Sequence, residues 1–369
     1  MRIVIIGRYP VSTNANWTGP MNVGYHLSHE LAKRSNKVSV FVHANLGFQG
    51  RGLLVDIEEN LRVRKVTFLD LARWISSDGV EVVLLQGLCP LSVLWRIAGH
   101  RKVVFRPSGL VSRERNLGCE HSLKNLWNER ISLGVPIVIC QSSLLRQAIL
   151  TDYGLSSSRI FVIPNGVSRY FLRDDPNHEL RIGQSFDRKI LFVGNLGYWK
   201  GVDFLLKTVD LLVRQFGSTF LQLLLVGAST EWFNSLRQEF DHLFRQGIIL
   251  HLLPQPWHII KQLYRSAAIV VLPSRFEAFG NVALEAMACG TPVIISDRVG
   301  MRDLIENGKE GHIVPFGDVK AMAEKICFLI SHEDVRKRMA KDAKTTASHF
   351  TWSNAAAIYE NLFRRFVVQ

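Results

Sequence analysis

The stretch Val271–Ile295, VLPSRFEAFGNVALEAMACGTPVII, carries two glutamates, Glu277 and Glu285, at a strand–loop–glycine–helix junction. The pattern places a strand ending at Pro273, a loop holding Glu277, a backbone relief at Gly280 and a helix starting near Asn281. Amides at such a helix start point to ligands held above the carboxyl edge of an α/β sheet. Glu277 and Glu285 can each accept hydrogen bonds from ligand hydroxyls there. Spacing alone carries nothing, because Glu231 and Glu239 repeat it without that setting. A second stretch, Phe192–Val202 (FVGNLGYWKGV), follows another strand and brings Lys200 to a helix start. A cation there opposes the helix dipole unless an anion offsets it.

Phosphate-loop, dinucleotide-fingerprint, zincin and nucleophile-elbow motifs are absent, and so is an Asp-x-Asp pair for a divalent cation. Bound phosphates would therefore be held by backbone amides, helix starts and fixed cations, with no metal or cofactor expected.

The junction around Glu277 resembles the retaining glycosyltransferases of family 4, which have the GT-B fold. Their signature runs much like E-x-F-G-x-x-x-x-E-A-M-A-x-G-x-P-V-I, matched here by Glu277, Phe279, Gly280, Glu285, Ala286, Met287, Gly290 and Pro292. The resemblance implies that Glu277 faces the transferred sugar and that Ala278, Phe279, Gly280, Asn281 and Val282 offer amides to sugar and phosphate. Glu285 would bind the ribose. The family's G-R-L-x-x-x-K-G, whose Arg and Lys clamp the donor diphosphate, is matched by Gly194, Leu196, Lys200 and Gly201, with Asn195 in the place of Arg. Asn195 still donates a hydrogen bond, but one fixed charge is missing, so stabilisation of the leaving group rests on Lys200. Lys200 and Glu277 are the expected catalytic pair, and Pro254 in HLLPQP is expected near the base.

In Trp17–Val40, Gly19 and Pro20 match the family's glycine-rich loop, while Thr18 replaces its first Gly. The family sets this loop near donor phosphate and acceptor, which assigns Gly19 to the donor and Pro20 to the acceptor side. Where many members carry His-Gly after a strand, this chain reads Arg106-Pro107-Ser108-Gly109. Ser108 thus occupies the His position, and Arg106 either supplies a cation to the acceptor side or pairs with a carboxylate. His43 and His121 do not replace the missing His. Pro164–Val167 (PNGV) resembles the family's interdomain junction, and Phe350–Tyr359 its final helix crossing back to the first domain.

These residues need elements to hold them. Short β-branched runs alternate with helical patterns throughout the 369 residues. In the first half, strands are expected at Ile3–Gly7, Val38–His43, Arg62–Phe68, Glu81–Gln86, Val103–Arg106, Ile137–Gln141 and Ile160–Pro164. The second half repeats the rhythm at Ile190–Gly194, Leu221–Gly227, Ile248–Leu253, Ala268–Pro273, Pro292–Ser296 and Gly311–Val314. Continuous apolar runs mean strands covered on both faces, hence parallel sheets with crossover helices. The expected fold class is α/β, GT-B, with two doubly wound Rossmann-like domains facing across a cleft. Domain one takes 1–168 plus a crossing helix at 351–369, 169–188 is the linker, and 189–350 binds the nucleotide sugar.

Composition agrees with a folded globular chain: hydrophobic residues make up 47% and charged residues 21%, which excludes disorder and collagen-like repeats. Of the net charge of +13, +9 falls in residues 1–181. Basic and aromatic residues recur in Trp95–Lys102 and Ser112–Arg130, which are either solvated helix faces or a surface for anionic lipid or a phosphate-bearing acceptor. Nucleic-acid binding has only net charge behind it. The five cysteines are scattered without metal-ligand spacing and are expected reduced, in a cytoplasmic protein peripheral on the inner membrane face. MRIVIIGRYP is too short an apolar run for a targeting segment, and no run is long enough to span a bilayer.

The expected reaction is anomer-retaining transfer of a sugar from a nucleoside-diphosphate sugar to a hydroxyl of a glycan, lipid-linked or small-molecule acceptor, in surface polysaccharide or lipid-linked glycan synthesis. The alternatives are a non-catalytic GT-B subunit binding nucleotide or a partner, suggested by Asn195 and Ser108, and a nucleotide-sugar epimerase on the same architecture.

Overall fold

The computed structural model describes residues 1–10, 19–43, 54–66, 79–87, 103–117, 123–174 and 188–368. The chain divides into two compact units. Unit 1 comprises Met1–Asn116, Glu120–Gly166 and Thr351–Gln369, and unit 2 comprises Leu117–Cys119 and Val167–Phe350.

Unit 1 is built on an eight-stranded sheet. Its strands are β1 (Arg2–Ile6), β2 (Lys37–His43), β3 (Leu54–Glu58), β4 (Leu61–Val66), β5 (Val82–Gln86), β6 (Val103–Arg106), β7 (Ile137–Cys140) and β8 (Ile160–Val162). The order is β3-β4-β2-β1-β5-β6-β7-β8, parallel throughout except where β3 pairs antiparallel with β4. The sequence reading missed β3. Its segment LVDIE mixes two acids into the apolar run, so it lacks the signature of a strand covered on both faces.

Unit 2 carries β9 (Lys189–Val193), β10 (Gln222–Val226), β11 (Ile249–Leu252), β12 (Ile269–Leu272), β13 (Val293–Ser296) and β14 (Gly311–Val314). Their order is β11-β10-β9-β12-β13-β14, and every pair is parallel. Strands β12 and β13 are buried along their whole lengths, as their unbroken apolar runs require. Crossover helices such as Val202–Phe216 bury one apolar face, here Phe204, Leu205, Val209 and Leu212, against the sheet.

The chain builds outward from β9 to β11, then crosses back to β12 and builds the other way. The loops leaving β9 and β12 therefore diverge from neighbouring strands at the topological switch point, where open α/β sheets form their ligand crevice. Those two loops are the ones that carry Lys200 and Glu277.

The helix Trp352–Val368 belongs to unit 1. Trp352, Ala356, Tyr359 and Phe363 join Ile3, Leu27, Val40 and Leu84 in one core. The chain leaves unit 1 after Gly166 and re-enters at Thr351, and the two crossings run side by side, with the Val167 amide donating to the Phe350 carbonyl at 2.7 Å. Within the stretch expected as a linker, Arg169–Leu172 forms a helical turn of unit 2 with Phe171 buried; residues 175–187 lie outside the described residues.

Candidate functional site

Lys200 sits at the end of the single turn Tyr198–Lys200, immediately before Gly201 and the helix Val202–Phe216. Gly201 is required on two counts. Its φ is +68°, and a Cβ would lie 1.9 Å from the Pro273 carbonyl oxygen. That close approach seats the β9 loop directly on the end of β12.

Glu277 lies in the next loop, bridged in parallel to Val299. Its amide donates to the Arg298 carbonyl at 3.0 Å, and its carbonyl accepts from Gly300 at 2.9 Å. With the backbone pinned, the Glu277 carboxylate accepts from the Lys200 ammonium, both side chains 23% exposed. The pair is thus reachable from solvent yet shielded enough for its charges to act on a ligand.

Gly280, at φ +101°, caps the helix Asn281–Ala288. Among the described residues, the amides of Phe279, Gly280 and Val282 donate to no backbone acceptor. Ala278 and Phe279 are buried, and the Phe279 carbonyl accepts from Met301 at 2.7 Å. Asn281 and Val282 are half-buried at the helix start.

Glu285 stands one turn further along this helix and accepts a hydrogen bond from the Tyr264 hydroxyl at 3.0 Å. Desolvation of its carboxyl raises the pKa to about 7, against the opposing pull of the Tyr264 bond. A carboxylate held this far up gains most from a ligand that donates to it. The other equally spaced pair, Glu231 and Glu239, merely bounds a helix.

The remaining expected donor contacts are looser. Asn195 is exposed beside Gly194 in the β9 loop, and Pro254 is exposed in the loop after β11, two strands from β9. In unit 1, Gly19 and Pro20 open the helix Gly19–Lys33, with the Pro20 carbonyl accepting from Gln86 Nε2 at 2.7 Å. Trp17 and Thr18 of that motif lie outside the described residues, as do Trp95–Lys102, His121, Cys89 and Cys119. Ser108 is exposed just beyond β6.

Arg106 corrects its expectation. It is only 1% exposed, donates through Nε to the Tyr359 hydroxyl at 3.0 Å and through Nη2 to Asn165 Oδ1. It therefore presents no cation to an acceptor, and among the described residues it meets a phenol and a carboxamide, not a carboxylate. The reason is the returning helix, which brings Tyr359 over the end of β6. A local reading of β6 cannot contain that neighbour.

Cys140, Cys289 and Cys327 are free thiols, and burial pushes Cys140 and Cys289 up to about 12, which keeps both protonated.

Residues 18–169 match the family Glycosyltransferase Family 4, and residues 182–346 match Glycosyl transferases group 1. The chain belongs to the family 4, group 1 glycosyltransferases. It is 26% identical over 408 residues to a D-inositol 3-phosphate glycosyltransferase of Corynebacterium jeikeium, covering 98% of this chain and 96% of the relative. By structure, sucrose-phosphate synthase from Thermosynechococcus elongatus superposes with a TM-score of 0.80 at 19% identity, covering the whole of both chains. Anabaena HepE in complex with UDP superposes with a TM-score of 0.76 at 19% identity, covering 98% and 99%. The fold of this glycosyltransferase is GT-B, each unit being an α/β domain on a largely parallel sheet.

The sequence reading missed two residues that hold the candidate site in place. Tyr264 reaches Glu285 from the helix Trp257–Ser266, and no motif marks it. Arg275 lies two residues before Glu277, inside the quoted stretch. Its amide donates to the Trp199 carbonyl at 2.9 Å, and its guanidinium binds the Tyr198 carbonyl at 2.6 Å and both Asp203 oxygens at 2.7 Å. The signal available was an arginine in a motif loop; its target could be seen only once the two loops were adjacent.

Proposed function

We propose that this glycosyltransferase moves a sugar from a nucleoside-diphosphate sugar to a hydroxyl acceptor with retention of anomeric configuration. The observation that carries the reading is the Lys200 ammonium seated on the Glu277 carboxylate at the switch point of unit 2. In the free protein each charge offsets the other. A donor diphosphate offers Lys200 a stronger anion, and release of Glu277 leaves its carboxylate to orient the sugar hydroxyls.

As the bond from the sugar to the diphosphate breaks, charge accumulates on the leaving oxygen. Lys200 and the amides of Phe279, Gly280 and Val282 stabilise that charge, and their value is greatest in the transition state. Asn195 adds a neutral donor. Glu285 binds the ribose hydroxyls, and Pro254 borders the base. The departing phosphate takes the acceptor's proton, so Ser108 needs no basicity, and the reaction as proposed uses no metal. Gly19 retains its assignment to donor phosphate, and Pro20 and Ser108 theirs to the acceptor.

For the acceptor, the Corynebacterium jeikeium relative carries D-inositol 3-phosphate in its name, and the strongly basic first half supports an anionic acceptor or membrane surface. Trp127, 65% exposed beside exposed Arg130 on the helix Leu123–Ser132, fits such a surface. Among the described residues no helix is long and apolar enough to cross a membrane. We place the activity in surface polysaccharide or lipid-linked glycan synthesis, in a cytoplasmic setting at the inner membrane face.

Thermal-shift screening of nucleoside-diphosphate sugars identifies the donor, a ligand at 100 times its Kd raising stability by about 2.7 kcal/mol. With that donor, Lys200→Ala and Glu277→Ala abolish transfer while Ser108→Ala costs little. Near-parental turnover in the Lys200 variant would refute the assignment. The second reading, a nucleotide-binding subunit without transfer, draws on Asn195 and Ser108. It predicts that the intact chain binds donor but never releases free nucleoside diphosphate from it.

A further inference from the structure

The β9 loop between Gly194 and the helix Val202–Phe216 contains only one helical turn, yet it must hold a flexible lysine to within ångströms of a carboxylate. Lysine has four rotatable carbons and no fixed fork, so the position of its ammonium is only as good as the backbone beneath it. Arg275 supplies that constraint. Its amide and guanidinium take the two carbonyls immediately before Lys200, those of Trp199 and Tyr198. The same guanidinium forks onto Asp203, in the first turn of the helix immediately after Lys200. Both members of the ion pair are largely buried, 10% and 15% exposed. The guanidinium carbon also lies 3.6 Å from the Tyr198 ring centroid and 5.1 Å from that of Phe316.

One residue therefore grips the Lys200 segment on both sides, and its own backbone leads within two residues to Glu277. Its Nη1 and Nη2 groups are turned to Asp203 and Tyr198, and its charge is paired with the Asp203 carboxylate. We infer that Arg275 is a positioning residue: with Asp203 it fixes the Lys200 ammonium against the Glu277 loop and so sets how strongly the site prefers a diphosphate over a monophosphate. The inference rests on the reading of Lys200 as the diphosphate ligand.

Calorimetric titration of the intact protein with UDP and UMP, GDP and GMP, and ADP and AMP tests it, using whichever pair binds most tightly. Lys200→Ala should erase the diphosphate preference. Arg275→Gln should cut that preference about tenfold, equivalent to about 1.4 kcal/mol, while leaving monophosphate affinity near the parent's. Arg275→Lys, which keeps the charge but loses the fork, should fall between the parent and Arg275→Gln. Asp203→Asn should reproduce the Arg275→Gln loss, and the double variant should add nothing further. A merely structural role would instead weaken both nucleotides together. Should Arg275→Gln fail to fold, Asp203→Asn and Arg275→Lys carry the comparison.

The inference is overturned if Lys200→Ala loses the preference while the Arg275 and Asp203 variants retain it within about twofold. If the parent itself binds diphosphate and monophosphate equally, the donor reading fails, and the inference falls with it.

Discussion

Glu285 titrates at about 7 because its carboxyl is desolvated, and this has two consequences. For an acid whose folded pKa exceeds its unfolded value, the native state holds the extra proton, so stability is lost as pH rises from about 4.5 to about 7. Glu285→Gln should flatten that part of the stability profile, which chemical denaturation at a series of pH values would read. Ribose hydroxyls donating to the carboxylate would favour its charged form. Nucleotide binding near pH 6.5 should therefore release a proton, seen as a binding heat that depends on the ionisation enthalpy of the buffer (about half a proton near the pKa). Buffer-independent heats, or the same release in Glu285→Gln, would remove Glu285 from the ribose.

At the scale of elements, the site is the meeting of two loops at the carboxyl ends of β9 and β12. Gly201 allows that meeting by its positive φ and by leaving room for the Pro273 carbonyl. Gly201→Ala must push the two loops apart or twist the backbone, at a cost of about 1–3 kcal/mol for the φ alone. Transfer should fall with the melting temperature, whereas Gly247→Ala, also at positive φ (+70°) but with nothing near its Cβ, should cost stability without touching turnover. Equal losses of turnover in both variants would show that the β9–β12 contact is immaterial. The Lys200 turn and the Gly280 helix start were legible in the chain because glycine, strand and helix signals recur there in order. Strand β3 was not, because its acids break the apolar run.

At the scale of the molecule, unit 1 is completed by the last helix, which returns after the whole of unit 2 has been traversed. Phe363 is fully buried in that core, so Phe363→Ala should cost about 3–5 kcal/mol. Tyr359→Phe removes the oxygen that receives Arg106 Nε and leaves a buried N–H unpaired, a loss of about 1–3 kcal/mol. Both variants should lower unfolding midpoints while leaving nucleotide affinity in unit 2 unaltered. A Tyr359→Phe protein as stable as the parent would mean that Arg106 finds another acceptor.

Local chemistry wrote a large part of this protein into its sequence. Short runs rich in apolar and β-branched residues set thirteen strands between crossover helices, and the Glu277, Gly280 and Lys200 motifs name their residues because backbone conformations and helix starts are short-range properties. Tertiary structure alone decided the partners: Tyr264 for Glu285, Arg275 and Asp203 around Lys200, and Tyr359 and Asn165 for Arg106. Arg106 and Tyr359 stand 253 positions apart, and such a contact is fixed by which surfaces the folded core must cover, a quantity no local pattern contains.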